Sequence, residues 1–231
     1  MKKIFVIGHS HLNSLKRAPT ADDLFEFHNI NDKGMGPLSK INSDDYLSTI
    51  LLVGGNYHNV FGLLNHPQPF DFYLPEKTDL PINPNARLLP VELVSSVLER
   101  DMVSRQYNVM SSLLRFFKNT VYQIESPPPV PSEAHIKKYP GVFRDKINQL
   151  GVSPAAFRYK LWRIHSKIVR ENCQKLGITF VTVPKESQDS DGFLAEQYWN
   201  PDPTHGNQFY GDLVLNQIRA MHNIETKQAA L

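Results

Sequence analysis

A serine follows the first apolar run of the chain, at a position where it could act as a nucleophile. Residues 4–7 predict a buried strand, and Ser10 comes just past the carboxyl end of that strand. Open α/β sheets place their ligands at this edge. A serine there can expose its hydroxyl while its backbone N–H points into the same space, as a nucleophile that also holds its oxyanion requires. Capping of the next helix is the alternative role for Ser10.

An aspartate and a histidine lie three residues apart in a proline-containing turn, just before the last predicted helix. The carboxylate of Asp202 can hold the imidazole of His205 in the tautomer that accepts a proton from a serine hydroxyl. This spacing is common by chance, but here it follows all five predicted strands. We therefore predict that Ser10 attacks an acyl carbon, that His205 takes and later delivers its proton, and that Asp202 orients His205.

The strand pattern predicts how these segments come together. Short apolar or β-rich runs predict five strands, and they alternate with helical patterns or long connections. The predicted strands are residues 4–7, 24–30, 46–53, 120–124 and 178–183, and the main helices are 91–118, 153–177 and 207–222. This order predicts a three-layer α/β/α domain spanning 1–231, with a five-stranded parallel sheet and a proline-rich excursion at 66–90. The reactive segments should meet at one edge of the sheet.

Composition excludes several classes of protein. The formal net charge of +2 does not predict a nucleic-acid partner, and Cys173 is the single cysteine, so no intramolecular disulfide can form. The first apolar run is shorter than a signal-peptide core of about 7–15 residues, and no run approaches the roughly 18 needed to span a bilayer. No nucleotide-binding fingerprint is present. We expect a cytoplasmic protein with no cofactor and no membrane partner. The sequence is silent on oligomeric state.

Together these residues resemble the SGNH (GDSL-like) hydrolase superfamily. Gly8-His9-Ser10 is similar to its first block, Gly54-Gly55-Asn56 to its third and Asp202-Pro203-Thr204-His205 to its fifth. The resemblance implies a flavodoxin-like sheet, the three catalytic roles given above and an asparagine that donates to the oxyanion. Members are mostly esterases, lipases, carbohydrate deacetylases and some O-acetyltransferases. The chain departs from the pattern in two places, because His9 stands where an acidic residue is usual and Tyr57 where aspartate is usual.

The predicted oxyanion hole combines two backbone N–H groups with one side chain. Asn56 would offer its amide beside the N–H of Ser10 and that of a glycine after the second strand. Gly34 and Gly36 both fit the second block of the family, and Gly36 is preferred.

Several other side chains should lie near the same edge. His9, His11 and His58 could bind a metal ion with Asp202 as a further ligand, but their spacing matches no strong zinc pattern. We therefore predict no metal and assign these histidines to the walls of the pocket. The predicted substrate pocket consists of His9, His11, Tyr57, His58, Ser126 and Trp199.

The sequence thus predicts a serine-dependent acyl-ester hydrolase, an esterase or deacetylase. Its substrate would be a small-molecule or carbohydrate ester, with an acetylated carbohydrate as the specific expectation. Two alternatives remain open. One is an O-acetyltransferase that uses the same three residues on a sugar acceptor. The other is a binding or accessory protein that keeps the fold without catalysis, which the departures at His9 and Tyr57 motivate.

Overall fold

The computed structural model of the protein describes residues 2–227, and within them five parallel strands form the main sheet. These strands are β1 (Lys3–Gly8), β2 (Phe25–Asn29), β3 (Tyr46–Leu52), β6 (Thr120–Ile124) and β7 (Thr179–Val181). Their order across the sheet is β2-β1-β3-β6-β7. Two short strands, β4 (Phe70–Asp71) and β5 (Arg87–Leu88), pair in parallel as a separate ribbon. The predicted five-stranded parallel sheet is confirmed.

Helices cover both faces of this sheet, which completes the three layers. The helices are α1 (Leu12–Lys16), α2 (Ile30–Lys33), α3 (Tyr57–Gly62), α4 (Val91–Met102), α5 (Asn108–Leu113), α6 (Glu133–Lys138), α7 (Arg144–Leu150), α8 (Ala155–Leu176) and α9 (Gln208–Met221). Short 3-10 turns occur at Gly36–Lys40, Ser43–Asp45, Gly141–Phe143, Lys185–Ser187 and Glu196–Tyr198. In the described part of the chain, no helix is both long and apolar enough to cross a membrane.

The alternation of side chains along β1 explains the two cores. Phe5 and Ile7 point to the face that α4, α5 and α8 cover, whereas Ile4 and Val6 point to the face covered by α1 and α9. All four side chains are at most 1% exposed. A strand that is buried on both faces has a continuous apolar sequence, and this pattern at residues 4–7 predicted β1.

Three predicted boundaries differ from the structure. The helix predicted for 91–118 ends at Leu113, and Val103–Tyr107 within it is a π-helical segment. Ser153 does not cap α8, because Pro154 occupies the N-cap position and the Ser153 hydroxyl donates to the Gly62 carbonyl instead. The strand predicted for 178–183 is β7, and it is only three residues long. For Ser153 the difference arises because a tertiary contact competes with a local preference.

The proline-rich excursion is attached to the domain by a buried ion pair. Lys160 Nζ on α8 lies 2.9 Å from Asp71 Oδ1, and the two side chains are 0% and 3% exposed. Lys160 also donates to the Pro81 carbonyl, while Asp71 accepts from the backbone N–H groups of Phe72 and Asn83. Nearly every polar atom of the pair is therefore satisfied, and removing one partner would leave a buried charge.

Replacing Lys160 by methionine is expected to lower the free energy of unfolding by about 3–5 kcal/mol, because the Asp71 carboxylate would lose its counter-charge inside the protein. Urea unfolding at neutral pH measures this change. Lys137→Met is the matched control, since Lys137 forms an exposed ion pair with Glu133 and its removal should cost less than about 1 kcal/mol. Equal losses in the two variants would contradict the prediction.

Candidate active site

The three residues predicted to be catalytic are joined by hydrogen bonds. Ser10 Oγ lies 2.8 Å from His205 Nε2, and His205 Nδ1 lies 3.0 Å from Asp202 Oδ1. With Nδ1 protonated toward Asp202, Nε2 is free to accept the proton of the Ser10 hydroxyl. The side chains of His205 and Asp202 are 23% and 24% exposed, so the site opens to solvent on this side.

Four donors hold the Asp202 carboxylate as an anion. Besides the His205 ring, the backbone N–H groups of Thr204 and His205 donate to Oδ1 at 2.8 and 2.9 Å, and Asn200 Nδ2 donates to Oδ2. Burial by itself raises the pKa of Asp202, but the bond from the His205 ring and the other donors outweigh it. The net result is a pKa well below the ordinary value of an aspartate.

The turn that carries these residues is itself fixed at both ends. Asn200 donates its backbone N–H to the His205 carbonyl, and its own carbonyl accepts a bond from His135 Nε2 at 2.9 Å. Asn207 caps α9 by accepting from Phe209 and Tyr210. The sequence pattern did not single out Asn200 or His135, because their roles depend on a contact between α6 and this turn that local spacing does not reveal.

Two of the residues predicted to form the oxyanion hole, Ser10 and Asn56, lie at the same edge of the sheet. Gly8 pairs with Leu52 across β1 and β3, so Ser10 and Asn56 both follow the carboxyl ends of adjacent strands. Asn56 is half-buried, and its Oδ1 accepts from Asn59 Nδ2 at 2.8 Å. This bond orients the amide so that its N–H group can donate to a ligand.

Gly36 has a less defined place. It begins a 3-10 turn at the surface, and its carbonyl accepts a bond from the Ser39 hydroxyl. No hydrogen bond between residues 2 and 227 connects Gly36 with Ser10 or His205. The roles of Gly36 and of the neighbouring Gly34 in an oxyanion hole therefore stay predictions.

The loop after β3 is shaped by contacts from two helices. Gly54 has a φ of +69°, and a Cβ atom there would overlap Cγ of Gln106, so only glycine fits. Gln106 belongs to the π-helical segment Val103–Tyr107. Such segments are frequent near functional sites. His165 on α8 donates to the Gly54 carbonyl at 2.9 Å. Packing from α8 and the α4–α5 helix thus sets the path of the backbone into Asn56.

Three buried histidines form two ring contacts, one of which is with His205. The ring of His11 packs against that of His205, with the ring centroids 4.5 Å apart. The ring centroids of His58 and His165 are 5.1 Å apart. Desolvation lowers the pKa of His11 to about 3 and that of His165 to about 4, and it lowers the pKa of His58 well below 6.5. These imidazoles are therefore neutral at physiological pH.

The predicted substrate pocket is only partly assembled. His9 and Tyr57 are half-buried beside Ser10 and Asn56, while Ser126 is 8% exposed after β6. His58 is 2% exposed and packs on His165, so it lies inside the fold rather than in a pocket wall. Trp199 donates to the Leu194 carbonyl and packs on His135, so its ring is engaged within the protein.

The metal site weighed for these histidines finds no support in the geometry. Within residues 2–227, no three histidine, cysteine, aspartate or glutamate side chains are arranged to hold a metal ion. His11 faces His205, whereas His58 faces His165 on α8.

Comparison with known proteins identifies the fold. No family model and no curated protein sequence matches the chain. A GDSL-like lipase from Bacteroides thetaiotaomicron superposes with a TM-score of 0.51 at 12% identity, over 96% of this chain and 88% of that one. A proposed acylhydrolase from Bacteroides fragilis gives 0.50 at 11% identity, over 96% and 86%. The fold is that of the GDSL-like hydrolases. At 11–12% identity, this similarity to GDSL-like structures establishes only the fold. The predicted resemblance, with a sequence that has diverged strongly, is confirmed at that level.

Asn56→Ala is expected to lower kcat by about 10²–10³-fold, because it removes one preorganised donor to the oxyanion. Steady-state hydrolysis of an activated ester measures the effect. Asn59→Ala is the comparison variant, since it breaks the bond that orients the Asn56 amide but keeps the donor, so its loss should be clearly smaller. A loss in Asn59→Ala as large as that in Asn56→Ala would assign the effect to the arrangement of the loop instead of the Asn56 donor.

Proposed function

We propose that the protein is a serine-dependent acyl-ester hydrolase. The observation that carries the proposal is the unbroken chain of hydrogen bonds from the Ser10 hydroxyl through His205 to Asp202, at 2.8 and 3.0 Å. A nucleophile, a base within reach of it and a group that orients the base make up the minimal apparatus of nucleophilic acyl transfer. The GDSL-like fold supports this proposal, because a lipase shares it.

The geometry supports a two-step reaction. Ser10 Oγ bonds to the acyl carbon while its proton passes to His205 Nε2, and the carbonyl electron pair becomes an oxyanion that faces Asn56. When the oxyanion collapses, the bond to the leaving oxygen breaks and His205 returns the proton to that oxygen. A water molecule then attacks the acyl carbon of the acyl–Ser10 ester while its proton passes to His205. The bond between that carbon and Ser10 Oγ breaks, His205 returns the proton to Oγ, and the carboxylic acid leaves. Asp202 stabilises the imidazolium in both steps.

The exposed side of His205 and Asp202 gives the leaving alcohol a path to solvent. Because about a quarter of His205 and of Asp202 is exposed, a bulky alcohol can leave toward solvent without entering the core. This suits the predicted carbohydrate ester, which stays a prediction. An O-acetyltransferase would use the same steps with a sugar hydroxyl in place of water, and product analysis with and without a sugar acceptor separates the two.

A serine-directed fluorophosphonate probe tests the proposal. We expect label on Ser10, located by peptide mass spectrometry, in the wild type, and no label in His205→Gln, where the base is lost. Circular dichroism of both proteins controls for folding. Absence of label on the folded wild type would overturn the proposal and favour the non-catalytic alternative.

A further inference from the structure

A small cavity lies between the segment after β1, which carries Ser10 and His11, and the loop after β3, which carries Gly55 and Asn56. Its volume is about 10 Å³, and it is bounded by the ends of β3 and β6, by the loops that follow β1, β3 and β6, and by α9. Its walls are formed by His11, Leu52, Gly55, Ile124, Ser126 and Pro127, with Gln123, Glu125 and Tyr210 completing them. Much of this lining is carbon.

Two walls of this cavity are direct sequence neighbours of Ser10 and Asn56. His11 follows Ser10 directly and packs on His205, and Gly55 precedes Asn56 directly. An acyl carbon bonded to Ser10 Oγ, with its oxygen toward Asn56, has two substituents left. The leaving group needs the proton on His205 and lies toward solvent, which leaves the side of His11 and Gly55 for the acyl substituent.

We propose that this cavity receives the acyl substituent and restricts it to a methyl group, which makes the enzyme selective for acetyl esters. The inference rests on the proposed function. A space of roughly 10–15 Å³ holds one water-sized group. A longer chain would have to displace the walls, among which Leu52, Ile124 and Ser126 are buried. Buried side chains of this kind are close-packed and give way little.

Gly55 and Ser126 set the size of the cavity. A Cβ atom on Gly55 would lie 2.9 Å from Ser126 Oγ and 3.1 Å from His11 Cδ2, so alanine at this position would fill the space. Gly55 has no positive φ, so its backbone itself accepts alanine. Ser126 is held in place through its carbonyl, which accepts a bond from Trp162 Nε1 at 3.1 Å. Replacing Ser126 by glycine would therefore enlarge the cavity with the loop still anchored.

A single water molecule is the rival occupant. Among the described residues, His11 Nε2, Gln123 Oε1 and the Tyr210 hydroxyl are buried without a protein partner, and all three residues line this cavity. A water bound there would satisfy these atoms but would leave the enzyme indifferent to acyl length. The two occupants therefore predict different dependence of rate on the acyl group.

The test is kcat/KM for phenyl esters that share one leaving group and carry formyl, acetyl, propionyl, butyryl or octanoyl groups. We expect acetate to exceed butyrate by at least about 100-fold, since one misplaced methylene is worth about 10–200-fold in such a pocket. Gly55→Ala should lower the acetate-to-formate ratio about tenfold or more. Ser126→Gly should raise the propionate-to-acetate ratio about tenfold.

Wild-type hydrolysis of octanoate or butyrate as fast as acetate would overturn the acetyl proposal alone. Unchanged acyl ratios in both variants would also overturn it and would assign the cavity to water. Absence of hydrolysis of every ester, together with absence of fluorophosphonate label on Ser10, would overturn the proposed function as well. Because each readout is a ratio between substrates, a general loss of folded enzyme cannot produce the expected result.

Discussion

Ser10→Ala is expected to lower kcat/KM for ester hydrolysis by about 10⁴-fold or more while leaving the fold intact. The Ser10 hydroxyl is the atom that His205 Nε2 can deprotonate at 2.8 Å, and alanine has no atom to form the acyl-enzyme. The oxyanion donors and substrate binding would remain, so a residual rate above water is expected, as for other triads. Steady-state kinetics on an acetyl ester measures the loss.

The companion variants define what that loss means. Asp202→Asn should cost about 10⁴-fold in kcat, because the amide would favour the wrong tautomer of His205. Combining it with Ser10→Ala should add little, since the residues act as one unit. Ser96→Ala is the control, as this exposed hydroxyl only donates to the Glu92 carbonyl on α4. A Ser10→Ala variant that kept a tenth of the activity would exclude the serine as nucleophile.

Acidification is expected to destabilise the protein steeply because of its buried histidines. In the folded state, burial lowers the pKa of His11 to about 3 and of His165 to about 4, and that of His58 lies well below 6.5. In the unfolded chain each imidazole titrates near 6.5. Between these values the unfolded state binds more protons than the folded state, so the free energy of unfolding falls as pH falls below about 6.5.

The dependence of the free energy of unfolding on pH can be estimated in kcal/mol per pH unit. Each histidine that gains a proton only on unfolding contributes about 1.4 kcal/mol per pH unit while the pH lies below 6.5 and above its folded-state pKa. His11 and His165 together therefore approach about 3 kcal/mol per unit between pH 6 and 5, and His58 adds to this slope. This is a large share of the stability of a typical domain, about 5–15 kcal/mol. Urea unfolding at pH 7.5, 6.5, 5.5 and 4.5 measures the dependence. Asp202 adds to the loss at lower pH, since its depressed pKa stabilises the folded state only while it is ionised.

His58→Leu isolates one of these contributions. Neither ring nitrogen of His58 has a hydrogen-bond partner among the described residues, so leucine removes the titrating group without breaking a bond. The slope in this variant should be shallower by about 1.4 kcal/mol per pH unit below pH 6. A slope identical to that of the wild type would show that His58 is not the buried neutral base that its packing against His165 implies.

Most of the sheet could be predicted because its signals are local. Buried parallel strands are continuous apolar runs, so residues 4–7 and 46–53 indicated β1 and β3 within one or two residues of their observed ends. The helix ends were predicted less well. Ser153 and Pro154 have the residue types of a helix start, but the Ser153 hydroxyl bonds to Gly62 on α3, a contact between segments about 90 residues apart in the chain. No local pattern contains that information.

The candidate site divides in the same way. The sequence by itself indicated Ser10, Asp202 and His205, because a possible nucleophile, base and orienting carboxylate stand at defined places after the first strand or before the terminal helix. Only the tertiary structure decided that His58 lies inside the fold on His165, that His11 packs on His205 and that Asn200 holds Asp202. The physical reason is that chemical type and strand order are properties of the chain, whereas burial and hydrogen-bond partnership arise only when distant segments pack together.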